Sequence, residues 1–297
     1  MTEPTIRTAP PTVDARTHPV LTAQVLTEAL PYIQRFRGAT VVVKFGGNAM
    51  VDPALSATFA SDIVLMHSVG IRPIVVHGGG PQIGALLGQL GKTSRFVDGL
   101  RVTDAETLDV ARMVLGGKVS RDIVSAINVH GPLAVGVSGE DAGLIRATQR
   151  HADLGFVGDV ADVNPAIVER LLAEGLIPVV SSIGSDAAGQ AYNINADTVA
   201  GHLAATVDAH KLIVLTDVEG LRRTPSDPAS LIAQITADAL RPLVGTETVS
   251  GGMIPKVEAC LHAVDHGVAS AHMINGTVEH VLLLELFTDS GIGTMIR

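Results

Sequence analysis

From residue 40 onward the chain alternates between two hydrophobic rhythms. Short runs with little polar interruption cover Thr40 to Lys44, Pro73 to His77, Leu133 to Val137, Leu176 to Ser181, Lys211 to Thr216 and Ala271 to Ile274. Their length and branched side chains predict strands buried on both faces. Between them, apolar residues recur at helical spacing and predict helices over 54–69, 81–90, 104–127, 165–174, 196–208 and 253–266. Strand then helix, repeated, predicts βαβ units and an α/β fold around a mainly parallel central sheet. Residues 143–163 break the rhythm with short alternating segments, which predict hairpins at a sheet edge. Val281 to Leu284 is a further apolar run and reads as a buried strand. A strand-loop-strand pattern restarts near 205–210 and marks a lobe boundary there.

The start of the chain differs. Residues 1–19 hold four prolines and no apolar period, and read as a mobile arm. Leu21, Val25, Leu26, Leu30, Ile33 and Phe36 then fall near helical spacing. Pro31 within that run lacks a backbone donor and crowds the preceding turn, so a kink is expected around Ala29 to Pro31. The broad apolar face of this helix would pack on its own domain or join subunits.

Composition narrows the class. Charged residues are 17% and hydrophobic ones 46%, which excludes a disordered chain. The mean hydropathy of +0.37 raises the question of a membrane span, but no apolar run approaches the roughly 18–20 residues a bilayer needs. A net charge of -9, with no Trp and aromatics at 3%, argues against a nucleic-acid surface, which needs basic stripes or stacking platforms. Cys260 is the one cysteine, so neither a disulfide framework nor a cysteine-based zinc site can form. The N-terminus lacks the basic start and apolar core of a secretory leader, and the Asn275-Gly276-Thr277 sequon is read as chance. A cytoplasmic location is expected.

Two glycine-rich stretches mimic known motifs and fail on detail. Gly88 to Thr93 resembles the end of a phosphate-binding P-loop, but its leading glycine would fall at Leu86, and Gly91 reads as a helix C-terminal cap. Gly78-Gly79-Gly80 follows a strand and opens a helix as in a dinucleotide fold, yet the third fingerprint glycine is Ile83.

What remains points to anion chemistry. Lys44 ends a buried strand directly before Gly46 and Gly47, and His77 ends a second before Gly78, Gly79 and Gly80. Glycines at strand ends let backbone N–H groups approach an anion, and a helix N-terminus adds favourable partial charge. Two such ends, one with a lysine, favour a phosphate site over two plain turns. Asn195 reads as a helix cap, with Asp197 in the first turn behind it. Thr216-Asp217-Val218-Glu219-Gly220-Leu221 closes a third strand with a polar loop. Lys256 sits in the early turns of a helix, where a cation is unfavourable, and such violations of a local rule occur at functional sites.

These blocks resemble the amino acid kinase family over roughly residues 20–297, nearly the whole chain. The matching stretches are Lys44 to Ala49, His77 to Gln82, Gly99 to Thr103, Asn193 to Asp197, Leu215 to Gly220 and Gly252 to Ala259. Each is weak alone, and six in family order are specific. The wording is similar to the branch that phosphorylates the side-chain carboxylate of N-acetyl-L-glutamate, an arginine-biosynthetic step; the Arg101 and Asn193 blocks favour that substrate. The resemblance implies a three-layer sandwich divided into an N-terminal arm and kinked oligomerisation helix (1–37), a substrate-binding and dimerising lobe (38–206) and an ATP-binding lobe (207–297).

By the same resemblance, Lys44 and Lys256 neutralise the phosphoryl group in flight and Asp197 orients both. Gly79, Gly80, Arg101 and Asn193 hold the amino-acid substrate, Arg101 by its α-carboxylate. Gly46, Gly47, Thr216, Asp217, Gly220 and Leu221 serve the nucleotide. The cofactor implied is ATP with magnesium held mainly through the phosphates, and no metal ligand is assigned. The chemistry suits these residue types: the acceptor carboxylate, with an unperturbed pKa of ~4.3, is already ionised at neutral pH and needs no protein base. Neutralising and aligning two anions is then the main task. Similarity to the arginine-inhibited branch also implies a hexamer, a trimer of dimers, with L-arginine bound between the first helix and the C-terminal lobe. Glutamate 5-kinase, aspartokinase, carbamate kinase and uridylate kinase share the phosphate machinery. A nicotinamide oxidoreductase, or an amino-acid sensor without catalysis, are readings outside that group.

Overall fold

The computed structural model describes residues 19–97, 99–288 and 291–297; the arm expected at 1–19 lies almost wholly outside the described residues. The helices are α1 (Pro19–Phe36), α2 (Pro53–Ser68), α3 (Gly80–Gln89), α4 (Ala105–Arg112), α5 (Ser120–Asn128), α6 (Ala166–Ala173), α7 (Ala196–Thr206), α8 (Ala237–Leu240), α9 (Ile254–Asp265) and α10 (Val281–Leu286). The strands in the first half are β1 (Thr40–Phe45), β2 (Arg72–His77), β3 (Phe96–Val97), β4 (Leu100–Arg101), β5 (Ala134–Ser138), β6 (Ile145–Gln149) and β7 (Val157–Val163). The rest are β8 (Ile177–Ser181), β9 (Ile183–Ser185), β10 (Ala191–Ile194), β11 (Lys211–Thr216), β12 (Gln234–Ile235), β13 (Ser270–Asn275) and β14 (Thr294–Ile296).

One eight-stranded sheet carries the fold, in the order β12-β14-β13-β11-β1-β2-β8-β5. Its pairs are parallel except β13 with β14, as the strand-helix rhythm predicts. Alternation along β1 divides the core: Val41, Val43 and Phe45 belong to one buried cluster and Val42 to the other. The first cluster takes in Phe59, Ile63 and Met66 of α2 with Leu282 and Leu286 of α10, and the Phe45 ring stacks on Phe59 at 3.8 Å. The second takes in Val199 and Leu203 of α7 with Val257 and Leu261 of α9. Helices on both faces make the three-layer α/β sandwich.

The chain leaves β1 toward β2 and returns at β11 on the other side of β1. Such a reversal opens a crevice at the carboxyl ends of the strands, where ligands settle in open α/β sheets. The glycine loops after β1 and β2 both lie at that end.

Three expectations need correction. Val281 to Leu284 is not a strand but the body of α10; four consecutive apolar residues fit either element, and here Val281, Leu282, Glu285 and Leu286 form one buried helix face while Leu284 is exposed. The hairpin in 143–163 exists as β6 and β7, but it closes into a small barrel with β9 and β10 instead of lying on the edge of the main sheet. The helix expected over 104–127 is interrupted by a π-helical segment, Met113–Val119, between α4 and α5. Helix α1 continues through Pro31 as one span. The connection between α7 and β11 falls at the expected restart near 205–210.

Candidate active site

The centre of the crevice is a carboxylate between two ammonium groups. Asn195 caps α7, its side chain accepting from the N–H groups of Asp197 and Thr198, and so fixes Asp197 in the first turn. Asp197 Oδ1 lies 2.8 Å from Lys44 Nζ, and Oδ2 accepts from Lys256 Nζ at 2.8 Å. The three side chains come from α7, β1 and α9. Asp197 and Lys44 are 4% and 7% exposed, so the group is close to dry and its electrostatics are strong.

Burial alone would raise the Asp197 carboxyl, but the two lysines outweigh it and hold it below the usual carboxylate range. Burial pulls the Lys44 ammonium below the ordinary lysine range, with Asp197 opposing and Lys256 reinforcing. The anomaly of Lys256 near a helix N-terminus is thereby resolved: its side chain leaves α9 for a carboxylate on α7.

The glycines are needed by the clamp itself. A Cβ on Gly46 would lie 2.7 Å from Lys44 Nζ, so only glycine lets that side chain fold back over the loop. Gly47 has φ +71 and carries the Asp217 carboxylate, which a Cβ would meet at 2.6 Å. The loops after β1 and β11 thus meet, and Asp217 adds negative charge near Lys44.

Two clefts are lined by chain neighbours of the clamp residues, Asn195 and Ala196 before Asp197 in one and Met253 before Lys256 in the other. The first, about 160 Å³, is lined by Gly78, Gly79, Gly80, Arg101, Ser182 and Asn193, with Asn195 and Ala196 at its floor toward Asp197. Arg101 donates through Nη2 to the Gly80 carbonyl at 2.8 Å and through Nη1 to the Ser94 hydroxyl, with Phe96 under its guanidinium. Asn193 Nδ2 donates to Thr103 Oγ1 at 3.3 Å. The π-helical segment presses Leu115 onto Gly79, where a Cβ would approach it to 2.7 Å.

The second cleft, about 170 Å³, is lined by Val218, Gly220, Leu221, Arg222, Ser250 and Met253 among others, so it opens at the start of α9. Gly220 and Leu221 are held by Thr294, whose hydroxyl accepts from the Leu221 N–H at 2.8 Å. Thr216 is buried and does not line this cleft; its hydroxyl is engaged by the backbone of Val218. Sequence reasoning missed Ser182, Ser250 and Leu115. Two polar side chains closing the buried run of β8 were the available signal for Ser182; nothing local marks Leu115.

This geometry suits transfer between two anions past one buried and one half-buried cation. Comparison with known proteins agrees: the profile of the amino acid kinase family matches residues 39–275. The chain belongs to the amino acid kinase family. It is 51% identical over 287 residues to the acetylglutamate kinase of Pelotomaculum thermopropionicum, covering 93% of this chain and 97% of that one. It is 55% identical over 274 residues to the acetylglutamate kinase of Acaryochloris marina, covering 92% and 96%. Among solved structures, N-acetylglutamate synthase from Neisseria gonorrhoeae complexed with coenzyme A and N-acetyl-glutamate superposes with a TM-score of 0.81 at 26% identity. That match covers 93% of this chain and 63% of the longer synthase chain. The same enzyme complexed with coenzyme A and L-arginine superposes with a TM-score of 0.77 at 26% identity, covering 93% and 65%. Among the described residues, no helix is long and apolar enough to cross a membrane.

Proposed function

We propose that this family member transfers the γ-phosphoryl group of ATP to the side-chain carboxylate of N-acetyl-L-glutamate, giving N-acetyl-L-glutamyl 5-phosphate and ADP. The observation that carries this reading is the buried Asp197 carboxylate holding both Lys44 and Lys256, each at 2.8 Å. The names of the relatives supply the acceptor.

In this reading residues 38–206 bind acetylglutamate, and residues 207–297 bind ATP beside Gly220 and Leu221. Arg101 grips the α-carboxylate of the substrate, and Asn193 holds its amide end. The γ-carboxylate oxygen attacks the terminal phosphorus of ATP; the bond from phosphorus to the bridging oxygen breaks, and that electron pair leaves on ADP. Charge gathers on the transferred group's equatorial oxygens and on the leaving oxygen, where preorganised donors are most effective. Lys44 and the N–H groups of Gly46, Gly47, Gly79 and Gly80 serve the transferred group, and Lys256 serves the leaving phosphate. Magnesium travels with ATP and supplies further neutralisation. Both Asp197 oxygens are engaged by lysines, so the nucleotide phosphates, and not Asp197, would hold the ion.

The same proposal includes feedback by L-arginine in a hexamer. A cleft of about 500 Å³ lies between α1 and the C-terminal lobe, lined by Tyr32, Arg35, Lys211, Glu285 and Thr288 among others. The buried Glu285 carboxylate there is held by Lys211 at 2.9 Å and by His272 at 2.7 Å. Val20, Leu21, Val25, Leu26 and Leu30 expose an apolar face of α1, which suits pairing between dimers. Phe36 at its end is 3% exposed and belongs to the core, so a truncation that tests this must stop short of it. A chain lacking residues 1–30 should stay active and lose both the hexamer and arginine sensitivity; a hexamer that persists sinks the oligomerisation role.

The activity is tested by trapping acyl phosphate with hydroxylamine in parallel reactions with N-acetyl-L-glutamate, glutamate, aspartate, carbamate and UMP. Hydroxamate from acetylglutamate alone supports the reading. Turnover of another acceptor moves the assignment within the family, and no turnover of any favours a sensor.

A further inference from the structure

His77 is the last residue of β2 and is fully buried. Its Nδ1 lies 3.0 Å from the carbonyl oxygen of Gly78, the first glycine of the loop that lines the substrate cleft. A carbonyl can only accept, so Nδ1 carries the proton and Nε2 is a bare acceptor. Among the described residues, buried Nε2 has no hydrogen-bond partner, and neither has the hydroxyl of Ser181, its neighbour in register on β8. An unpaired buried polar atom costs about 1–3 kcal/mol, so an apolar ring would serve the core better if packing were the only role.

The consequence lies across the peptide bond. In a planar trans peptide the C=O and the following N–H point in opposite directions. Holding the Gly78 carbonyl against the imidazole therefore turns the Gly79 N–H away from His77. Leu115 of the π-helical segment packs close to Gly79, where an added Cβ would lie 2.7 Å from its Cδ2.

We propose that His77 is a positioning residue, whose Nδ1–H clamps the Gly78 carbonyl and so aims the Gly79 N–H at the reacting oxygens. The inference rests on the phosphoryl-transfer reading of this site. Burial holds the imidazole neutral, with its pKa pushed down to about 4; the Gly78 carbonyl opposes this and Arg121 adds to it. The donor thus persists across the neutral range in a single tautomer.

The test separates the clamp from packing. His77→Phe fills the ring's volume without a donor, and His77→Asn keeps an N–H donor near the Nδ1 position. His77→Gln carries its amide further out, near Nε2. His77→Phe and His77→Gln should lower kcat by roughly 10- to 100-fold, the order expected for a misaligned catalytic group, with KM for ATP within about twofold. His77→Asn should recover most of that turnover, and melting of His77→Phe should be no lower than that of the parent chain. Equal kcat in the parent and His77→Phe, or equal losses in all three variants, would overturn the proposal. Nitrogen-15 spectra of labelled histidine provide a readout independent of turnover. A protonated Nδ1 with a bare Nε2 supports the clamp, and the opposite tautomer refutes it even in a chain that phosphorylates nothing.

Discussion

Replacing Asp197 by Asn removes one charge and almost no volume, and it strikes the clamp at its only anion in direct contact with both lysines. At an effective dielectric of about 20, two unit charges 2.8 Å apart attract by about 6 kcal/mol, and Asp197 makes two such contacts. Desolvation of three buried or half-buried ions offsets much of that. What remains when one partner is lost is the uncompensated charge of Lys44, and breaking a buried pair in this way costs about 3–5 kcal/mol. Folding stability of Asp197→Asn should fall by that order in urea melts.

Turnover should fall by roughly 10²–10³, because both ammonium groups lose the hydrogen bond that aims them. The pH dependence carries the sharper signature. Burial already draws the Lys44 pKa down, and Asp197 is the main group opposing it. Without Asp197 the ammonium should lose its proton at a lower pH than in the parent chain, so kcat/KM of the variant should decline with rising pH before that of the parent does. The parent chain should hold its plateau to higher pH, since kcat/KM reports the free enzyme, in which Lys44 is still paired. A variant within about threefold of the parent, with a parallel pH profile, would refute the orienting role of Asp197.

Arg101→Lys keeps a charge but loses the fork, and should raise KM for acetylglutamate about 10- to 100-fold with KM for ATP unchanged, as steady-state kinetics would show. Gly201→Ala places a Cβ 2.7 Å from the Ala259 carbonyl, where α7 meets α9. The strain should cost about 1–3 kcal/mol in melts, and kcat should fall as well because Asp197 and Lys256 ride on those two helices. Acid should also destabilise the fold: the His77 pKa lies near 4 when folded against 6.5 otherwise, so the folded state binds fewer protons. That contribution is complete above pH 6.5 and is lost as pH falls toward 4, amounting to about 2 kcal/mol by about pH 5. Urea melts of His77→Phe against the parent should show the slope reduced by that amount.

What could be read from the sequence follows from how local each constraint is. Strands β1, β2, β8 and β11 were legible because burial on both faces leaves an unbroken apolar run. Lys44 and Lys256 were legible because each breaks a local pattern, a lysine closing a buried strand and a cation where a helix disfavours one, whereas Asp197 fits the start of its helix and stood out only through the family resemblance. The meeting of the three at 2.8 Å was not legible, since three distant segments converge only through the sheet order. The barrel of β6, β7, β9 and β10 stayed hidden for the same reason, as closure of short strands leaves no mark in any one of them. The π-helical segment has only Gly116 and Gly117 as a local hint, yet it places Leu115 on Gly79. The case of α10 is the reverse: four apolar residues in a row carry no period, and only the packing of Val281, Leu282 and Leu286 against the core decides for a helix. The most informative residue is His77. Its place before three glycines suggests only the end of a strand, whereas its bond to the Gly78 carbonyl and its unpaired Nε2 give it a part in shaping the loop. In the proposed mechanism, where glycine-loop N–H groups serve the transferred phosphoryl group, the groups that aim the backbone are as much a part of the chemistry as the two lysines, and they show only when the hydrogen bonds are followed one by one.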